Sequence, residues 1–304
     1  MLARFVLASL VLELALYVAV GAWLHDAHGW EVPGLVVAAI LFCFGARFAL
    51  VCTTSALGWF NRGHREPAHR IGIGGAVRYL AAEYLVLLLD NFWLLPFQKV
   101  ALRPDPQLIP ASRPPVVLVH GYMSNRGLFL PVVRALEGAG LGPVHAPNFP
   151  VVFASIEQYA DKLHARVERI AQGCGQERVI LVCHSMGGLA AREYLRRHGT
   201  KRVAKLVTIA SPHHGTVLAS MGLGLNARQM HRGSDFLRGL KAAEKASPPA
   251  IDALSIWTPH DNLVAPPETS ILPWARSLPL PGVGHVSIVS APRLLAALVA
   301  ELRG

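Results

Sequence analysis

Charge is scarce in this chain: charged residues make up 16% of its 304 residues, while hydrophobic residues reach 52%. That is too apolar for an ordinary soluble protein and too polar for one wholly embedded in lipid. The apolar excess lies mostly before about residue 100, as for membrane segments joined to a soluble body. Cysteine is equally sparse, with four in all. Cys43 and Cys52 lie in an apolar run, and Cys174 and Cys183 lie near a helix–strand connection. None has the spacing of a disulfide framework or a metal site, so all four are expected as buried small apolar residues. Cofactor motifs, internal repeats and low-complexity tracts are missing, so neither a cofactor nor a metal is expected. A strand-binding surface is missing too. The formal net charge of +10 is dispersed, without aromatics alternating with Arg or Lys, which argues against nucleic acid. A basic face toward anionic lipid headgroups fits the charge better.

What is present begins with long apolar runs. Phe5 to Leu24 is almost unbroken except for Glu13, and about twenty residues match a bilayer core at 1.5 Å per residue. A cleaved signal peptide is disfavoured because His25, Asp26, Ala27 and His28 follow, with no small-x-small site. A second run from Pro33 to about Phe60 contains Arg47. The short loop between them predicts an antiparallel transmembrane hairpin. Counted back from that loop, Glu13 and Arg47 differ in depth by about one turn, ~5 Å, which predicts that they pair. The alternative is that each snorkels or meets a third segment. Asp26 and Glu31 sit in the loop, whereas Arg62, Arg65 and Arg70 follow the second helix, so both ends of the hairpin are expected in the cytoplasm. Tyr79 to Phe97 is a third apolar stretch. Its Glu83 and Asp90, seven apart, share one helical face. An amphipathic helix against the membrane or the protein body is expected; a third span would carry the rest of the chain across the membrane.

Five prolines between Arg103 and Pro115 mark a linker. After it, apolar strand-like runs alternate with helical patterns. Strands are expected at Val116–His120, Gly142–Phe149, Val179–Cys183, Ala204–Ala210, Ala253–Thr258 and near Leu278. Helices are expected at Ile156–Gln172, Met186–His198 and Ala291–Leu302. This alternation predicts an α/β fold, a mostly parallel sheet with helices on both faces, preceded by transmembrane helices.

The chemistry concentrates at three strand ends. Cys183-His184-Ser185-Met186-Gly187-Gly188 lies between a strand and a helix, where a sharp turn projects a serine hydroxyl and small neighbours let backbones approach. Cys183 stands where the usual pattern has glycine. His120-Gly121-Tyr122 follows the first strand, which nominates the Tyr122 and Met186 amides as an oxyanion hole. Asp261 and His285 each follow a later strand, in the chain order nucleophile, acid, base. Asp252 and Glu268 are reserve acids. His213 and His214 read as structural loop histidines. Between Thr216 and about Pro249, apolar residues interspersed with Gly and Arg suit either a cap over a pocket or a helical excursion packed on the sheet.

His120-Gly121-Tyr122, His184-Ser185-Met186-Gly187-Gly188 and Ser211-Pro212-His213-His214-Gly215-Thr216 together resemble bacterial lipases and esterases of the α/β-hydrolase superfamily, of the triacylglycerol lipase-like kind. The resemblance covers roughly residues 114 to 304. It implies acyl-ester cleavage without a cofactor by Ser185, Asp261 and His285, on lipid or other hydrophobic esters. Thioesterases, phospholipases and acyltransferases share the fold, and a non-catalytic scaffold is a further alternative. The organisation expected is a hairpin over 1–70, an amphipathic helix and linker over 71–113 and a catalytic domain over 114–304. This suits a multi-pass protein of a bacterial inner membrane with its active site on the cytoplasmic side.

Overall fold

A computed structural model describes residues 1–63, 66–149 and 152–303; Arg65, one of the three arginines used above for orientation, lies outside them. Two apolar helices open the structure, α1 (Leu2–His28) and α2 (Val32–Phe60). At 27 and 29 residues each is about 40 Å long. Gly29 ends α1 at φ 68, a left-handed conformation for which glycine carries no Cβ penalty. Large apolar side chains such as Leu12, Leu14, Leu41 and Phe42 point outward and are exposed. The expected pair forms: Arg47 donates to Glu13 Oε1 at 2.9 Å and to Oε2 at 2.7 Å. Tyr17 also donates to Glu13, and the guanidinium lies 4.8 Å from the Phe92 ring centre, a favourable cation–π distance. Cys43 and Cys52 are only half-buried on this hairpin, unlike Cys174 and Cys183, which are buried as expected.

α3 (Ile73–Leu89) runs into a π-helical turn at Asp90–Leu94, where the Leu95 amide donates to the Asp90 carbonyl. The acidic face packs against the protein body: Glu83 is 1% exposed and Asp90 5%. The outward side shows Val77, Leu85, Leu89 and Trp93, the reverse of a helix on a water-facing surface. After the short α4 (Gln98–Ala101), the proline-rich segment is docked rather than free. Leu102 is buried, the Ala111 amide donates to the Cys174 carbonyl at 3.0 Å, and Arg126 binds Asp105 at 2.8 Å.

The remainder alternates strand and helix: β1 (Val116–Val119), α5 (Leu130–Gly138), β2 (Val144–His145), α6 (Ile156–Gly173), β3 (Val179–His184), α7 (Met186–His198) and β4 (Val203–Ile209). Then come α8 (Leu225–Met230), α9 (Asp235–Ala246), β5 (Asp252–Trp257), β6 (Arg276–Pro279) and α10 (Pro292–Arg303). The strands form one sheet in the order β2-β1-β3-β4-β5-β6, and every pairing is parallel. Alternate residues feed opposite faces. Val117 and Val119 pack with α6 and α7, while Val116 and Leu118 pack with α5 and α10. Both faces are therefore covered, which is why the strands read as continuous apolar runs.

Two local expectations shift. β2 pairs over only two residues, because Pro143 and Pro147 bracket it and have no N–H to give a ladder. Helix α5 was not expected; Val132, Val133 and Leu136 bury its inner face behind Pro131. Chain order reverses between β1 and β3, so the crevice past their carboxyl ends is where a ligand site is expected in such a sheet.

The ion pair inside the hairpin yields a test. Glu13→Gln or Arg47→Met leaves one charge unpaired and should destabilise the detergent-purified protein by about 3 kcal/mol. The double exchange Glu13→Arg with Arg47→Glu should restore most of the loss in thermal unfolding.

Candidate active site

Ser185 sits between β3 and α7 at φ 56, ψ −129, a conformation that non-glycine residues hold only under strain, at a cost of about 1–3 kcal/mol. The surroundings enforce it. The Ser185 amide donates to the Ile209 carbonyl at 2.9 Å, and the Ser185 carbonyl accepts from Gly188. A Cβ on Gly187 would come within 2.3 Å of the Val119 carbonyl oxygen, so β1 and the start of α7 approach as closely as backbones can. Cys183 is fully buried in the core beneath the turn. The hydroxyl itself is partly exposed and faces a cavity.

The loops after β5 and β6 complete the arrangement. Ser185 Oγ lies 3.0 Å from His285 Nε2, and His285 Nδ1 lies 3.0 and 3.1 Å from the two Asp261 oxygens. Nδ1–H donates to the carboxylate, leaving Nε2 free to accept the serine proton. Asp261 Oδ1 is fixed further by the amides of Leu263 and Val264 at 2.8 and 2.7 Å. Burial alone pushes the His285 imidazole down, but the charge and hydrogen bond of Asp261, with Glu83 behind them, outweigh it and hold its pKa above the ordinary value. His184 donates from Nε2 to the His285 carbonyl at 3.0 Å, and burial pushes its own pKa down to about 3, so it stays neutral.

Met186 is the first residue of α7, so its N–H has no partner within the helix. The loop after β1 comes to the same place: a Cβ on Gly121 would meet the Ser185 Cβ at 2.7 Å and the Met186 nitrogen at 3.1 Å. Tyr122 and Met186 are thus neighbours of the serine hydroxyl. The Tyr122 hydroxyl also donates to the Leu223 carbonyl and accepts from the Leu223 amide, both at 2.9 Å, which ties residues 217–224 over the site. His120 is buried, accepting from the Phe149 amide at 3.2 Å.

Other nominated residues go elsewhere. Asp252 binds Lys205 and Arg276 at 3.0 and 2.9 Å at the opposite end of the sheet. Glu268 accepts from the Gly63 amide at 3.3 Å. His213 is structural, with Nε2 3.0 Å from Thr208 Oγ1 and its carbonyl accepting from the buried Arg192. His214 donates to the Ile271 carbonyl at 3.1 Å. Of the segment after Thr216, Ala219, Met221 and Met230 line the cavity, whereas α9 is held to α7 by the Arg192–Glu244 pair at 2.7 Å. The first part of the segment thus adjoins the cavity, while α9 packs away from it on α7.

Sequence reading missed the supports that come from the N-terminal helices. The Glu83 carboxylate accepts from the amides of Val286 and Ser287 at 3.0 and 2.8 Å. A Cβ on Gly284 would lie 2.3 Å from Glu83 Oε2, so a side chain there would displace it. From α2, Thr54 Oγ1 accepts from Asn262 Nδ2 at 3.1 Å, and Asn262 Oδ1 accepts from the His285 amide at 3.0 Å. Gly58 lies flush on the acid loop, where a Cβ would come within 2.6 Å of the Asp261 carbonyl oxygen. The only sign of this in the sequence was the seven-residue spacing of Glu83 and Asp90. Glu83→Ala would leave two buried amides unpaired, a loss of about 2–4 kcal/mol in unfolding free energy. Faster hydrogen exchange at Val286 and Ser287 should accompany it; unchanged exchange there would refute the support.

Comparisons agree with this architecture. Residues 114–232 match a family model described as alpha/beta hydrolase fold. Over 115 residues the chain is 28% identical to a triacylglycerol lipase of Pseudomonas fragi, covering 36% of this chain and 38% of that relative. The match therefore spans well under half of the relative's length. The structure of Bacillus licheniformis lipase BlEst2 in mature form aligns with a TM-score of 0.56 at 20% identity, over 65% of this chain and 96% of that one. Aspergillus fumigatus lipase B aligns with a TM-score of 0.61 at 15% identity, over 95% of this chain and 85% of that one. By family match, strand order and structural likeness, the chain has the α/β-hydrolase fold.

Proposed function

We propose that the protein is a membrane-anchored serine hydrolase that cleaves lipid-like carboxylic esters. The observation that carries this reading is the unbroken hydrogen-bond line from Ser185 to His285 to Asp261, opening on a largely apolar cavity of about 470 Å³. In the proposed reaction His285 Nε2 takes the Ser185 proton as Oγ bonds to the ester carbonyl carbon. The carbonyl oxygen becomes an oxyanion facing the Tyr122 and Met186 amides. Collapse of that intermediate breaks the bond to the alcohol oxygen, which leaves with the proton from His285. Water then repeats the sequence on the acyl-enzyme and releases the acid. Neither a metal nor a cofactor has a part in these steps.

The membrane reading rests on α1 and α2, which are long and apolar enough to cross a membrane and carry outward apolar side chains. Residues 1–70 would form the hairpin, 71–113 an interfacial helix and a strap, and 114–304 the catalytic portion. The apolar outer face of α3, from Val77 to Trp93, suits contact with membrane lipid. Arg62 and Arg70 after α2, against Asp26 and Glu31 on either side of the hairpin turn, favour the cytoplasmic side of a bacterial inner membrane.

Hydrolysis of p-nitrophenyl esters by detergent-purified protein tests the reading. Turnover should rise from short to long acyl chains, and both turnover and fluorophosphonate labelling should vanish in Ser185→Ala. Labelling that persists at another serine would refute the assignment. The pH profile gives a second check. His285 acts as base only when neutral, and its pKa is raised. kcat/KM should therefore fall as pH drops through a value above the ordinary ~6.5 of histidine. Asp261→Asn removes the raising charge and should move that limb to lower pH while cutting kcat by about 10⁴.

A further inference from the structure

The cavity in front of Ser185 is built by both parts of the chain. The hydrolase portion supplies Ser185 and His285, while Leu50, Leu87 and Asp90 come from α2, α3 and the π-helical turn. Its surface is mostly apolar, and Asp90 is the one carboxyl side chain lining it among the described residues. That carboxyl is out of place. It is 95% buried, since only 5% of the residue is exposed, and its Oδ1 has no hydrogen-bond partner among the described residues. No described cation pairs with it. An acid with an unmet oxygen costs free energy in such a place, and a protein keeps one where something else completes it. Glu83, on the same helical face, is already engaged by the Val286 and Ser287 amides. Asp90 is therefore left for what enters the cavity. A π-helical turn, rare in itself and frequent at functional sites, presents it.

We propose that Asp90 is a recognition residue for a free hydroxyl on the alcohol portion of the ester, so that partial esters of a polyol are preferred over simple alkyl esters. The inference rests on the serine-hydrolase reading of the same cavity. Burial, with Glu83 close by, pushes the Asp90 carboxyl up to about 7, so near neutrality it both donates and accepts, as a hydroxyl does. An apolar wall with one such group suits an amphiphile, with the chain along Leu50 and Leu87 and the hydroxyl on Asp90. A cationic headgroup would need the acid ionised in this setting, which burial opposes.

The test compares full-length wild type, Asp90→Leu and Asp90→Asn in detergent micelles. The substrates are monodecanoylglycerol, methyl decanoate and decanoylcholine, which share one acyl chain. Wild type should favour monodecanoylglycerol over methyl decanoate in kcat/KM by about ten- to a hundredfold, the range of one hydrogen bond to an acidic group. Asp90→Leu should collapse that ratio toward one, chiefly through KM, and Asp90→Asn should keep most of it. Asp90→Leu should also unfold at the same or a higher temperature, since it removes a buried acid with an unmet oxygen; a marked drop would point to a structural role and overturn the proposal. A ratio unchanged by Asp90→Leu, or decanoylcholine as the preferred substrate, would overturn it too. No turnover of any ester by wild type, with no fluorophosphonate labelling of Ser185, would instead overturn the hydrolase reading beneath it.

Discussion

A carboxylate that accepts two adjacent backbone amides makes a short, charge-assisted fork, and Glu83 makes one with Val286 and Ser287. The loop so held carries His285, and little in the loop's own sequence would hold it. Glycines flank it at 282 and 284, and its path is set by bonds to other elements: Thr258 to the Val283 carbonyl, Asn262 to the His285 amide, His184 to the His285 carbonyl. Glu83 is the bond in this set that reaches from outside the hydrolase fold. Remove it and the imidazole keeps its partner Asp261, but the loop that carries it loses its bond to α3.

The arrangement trades stability for placement at two points. Ser185 is held in a strained conformation, and Asp90 is buried with an oxygen unmet. Both lie on the cavity in front of the hydroxyl. The cost is borne by the parallel sheet beneath, where both faces of β1 and β3 are fully covered. Such a core tolerates a few kcal/mol of local strain. The same logic places the polar network at the carboxyl ends of the strands, where the reversal of strand order opens a crevice.

Much of this was legible in the sequence because it is local. Ser185, Asp261 and His285 each follow an expected strand by a few residues, and for Ser185 the apolar run Val179–Cys183 marks the strand end. Helix α7 falls where its pattern placed it. Glu13 and Arg47 were legible as partners because hairpin geometry fixes relative depth. The supports were not legible. Glu83 and Ser287 are 204 residues apart, and Thr54 and Asn262 are 208 apart; nothing in either neighbourhood names the other. The proline-rich strap looked like a linker because proline reports only missing N–H groups, not whether side chains such as Leu102 find a groove.

The Glu13–Arg47 clamp also sets a height. On the proposed membrane reading it would fix where α2 rests, since neither charge could leave the depth at which the other meets it. From Arg47, α2 climbs eleven residues to Gly58, about 16 Å at 1.5 Å per residue, and there it lies flush against the Asp261 loop. On the proposed membrane reading, α2 would work as a ruler between the middle of the hydrocarbon and Asp261. On that reading its length, more than any property of the hydrolase surface, would decide how far above the lipid Ser185 stands.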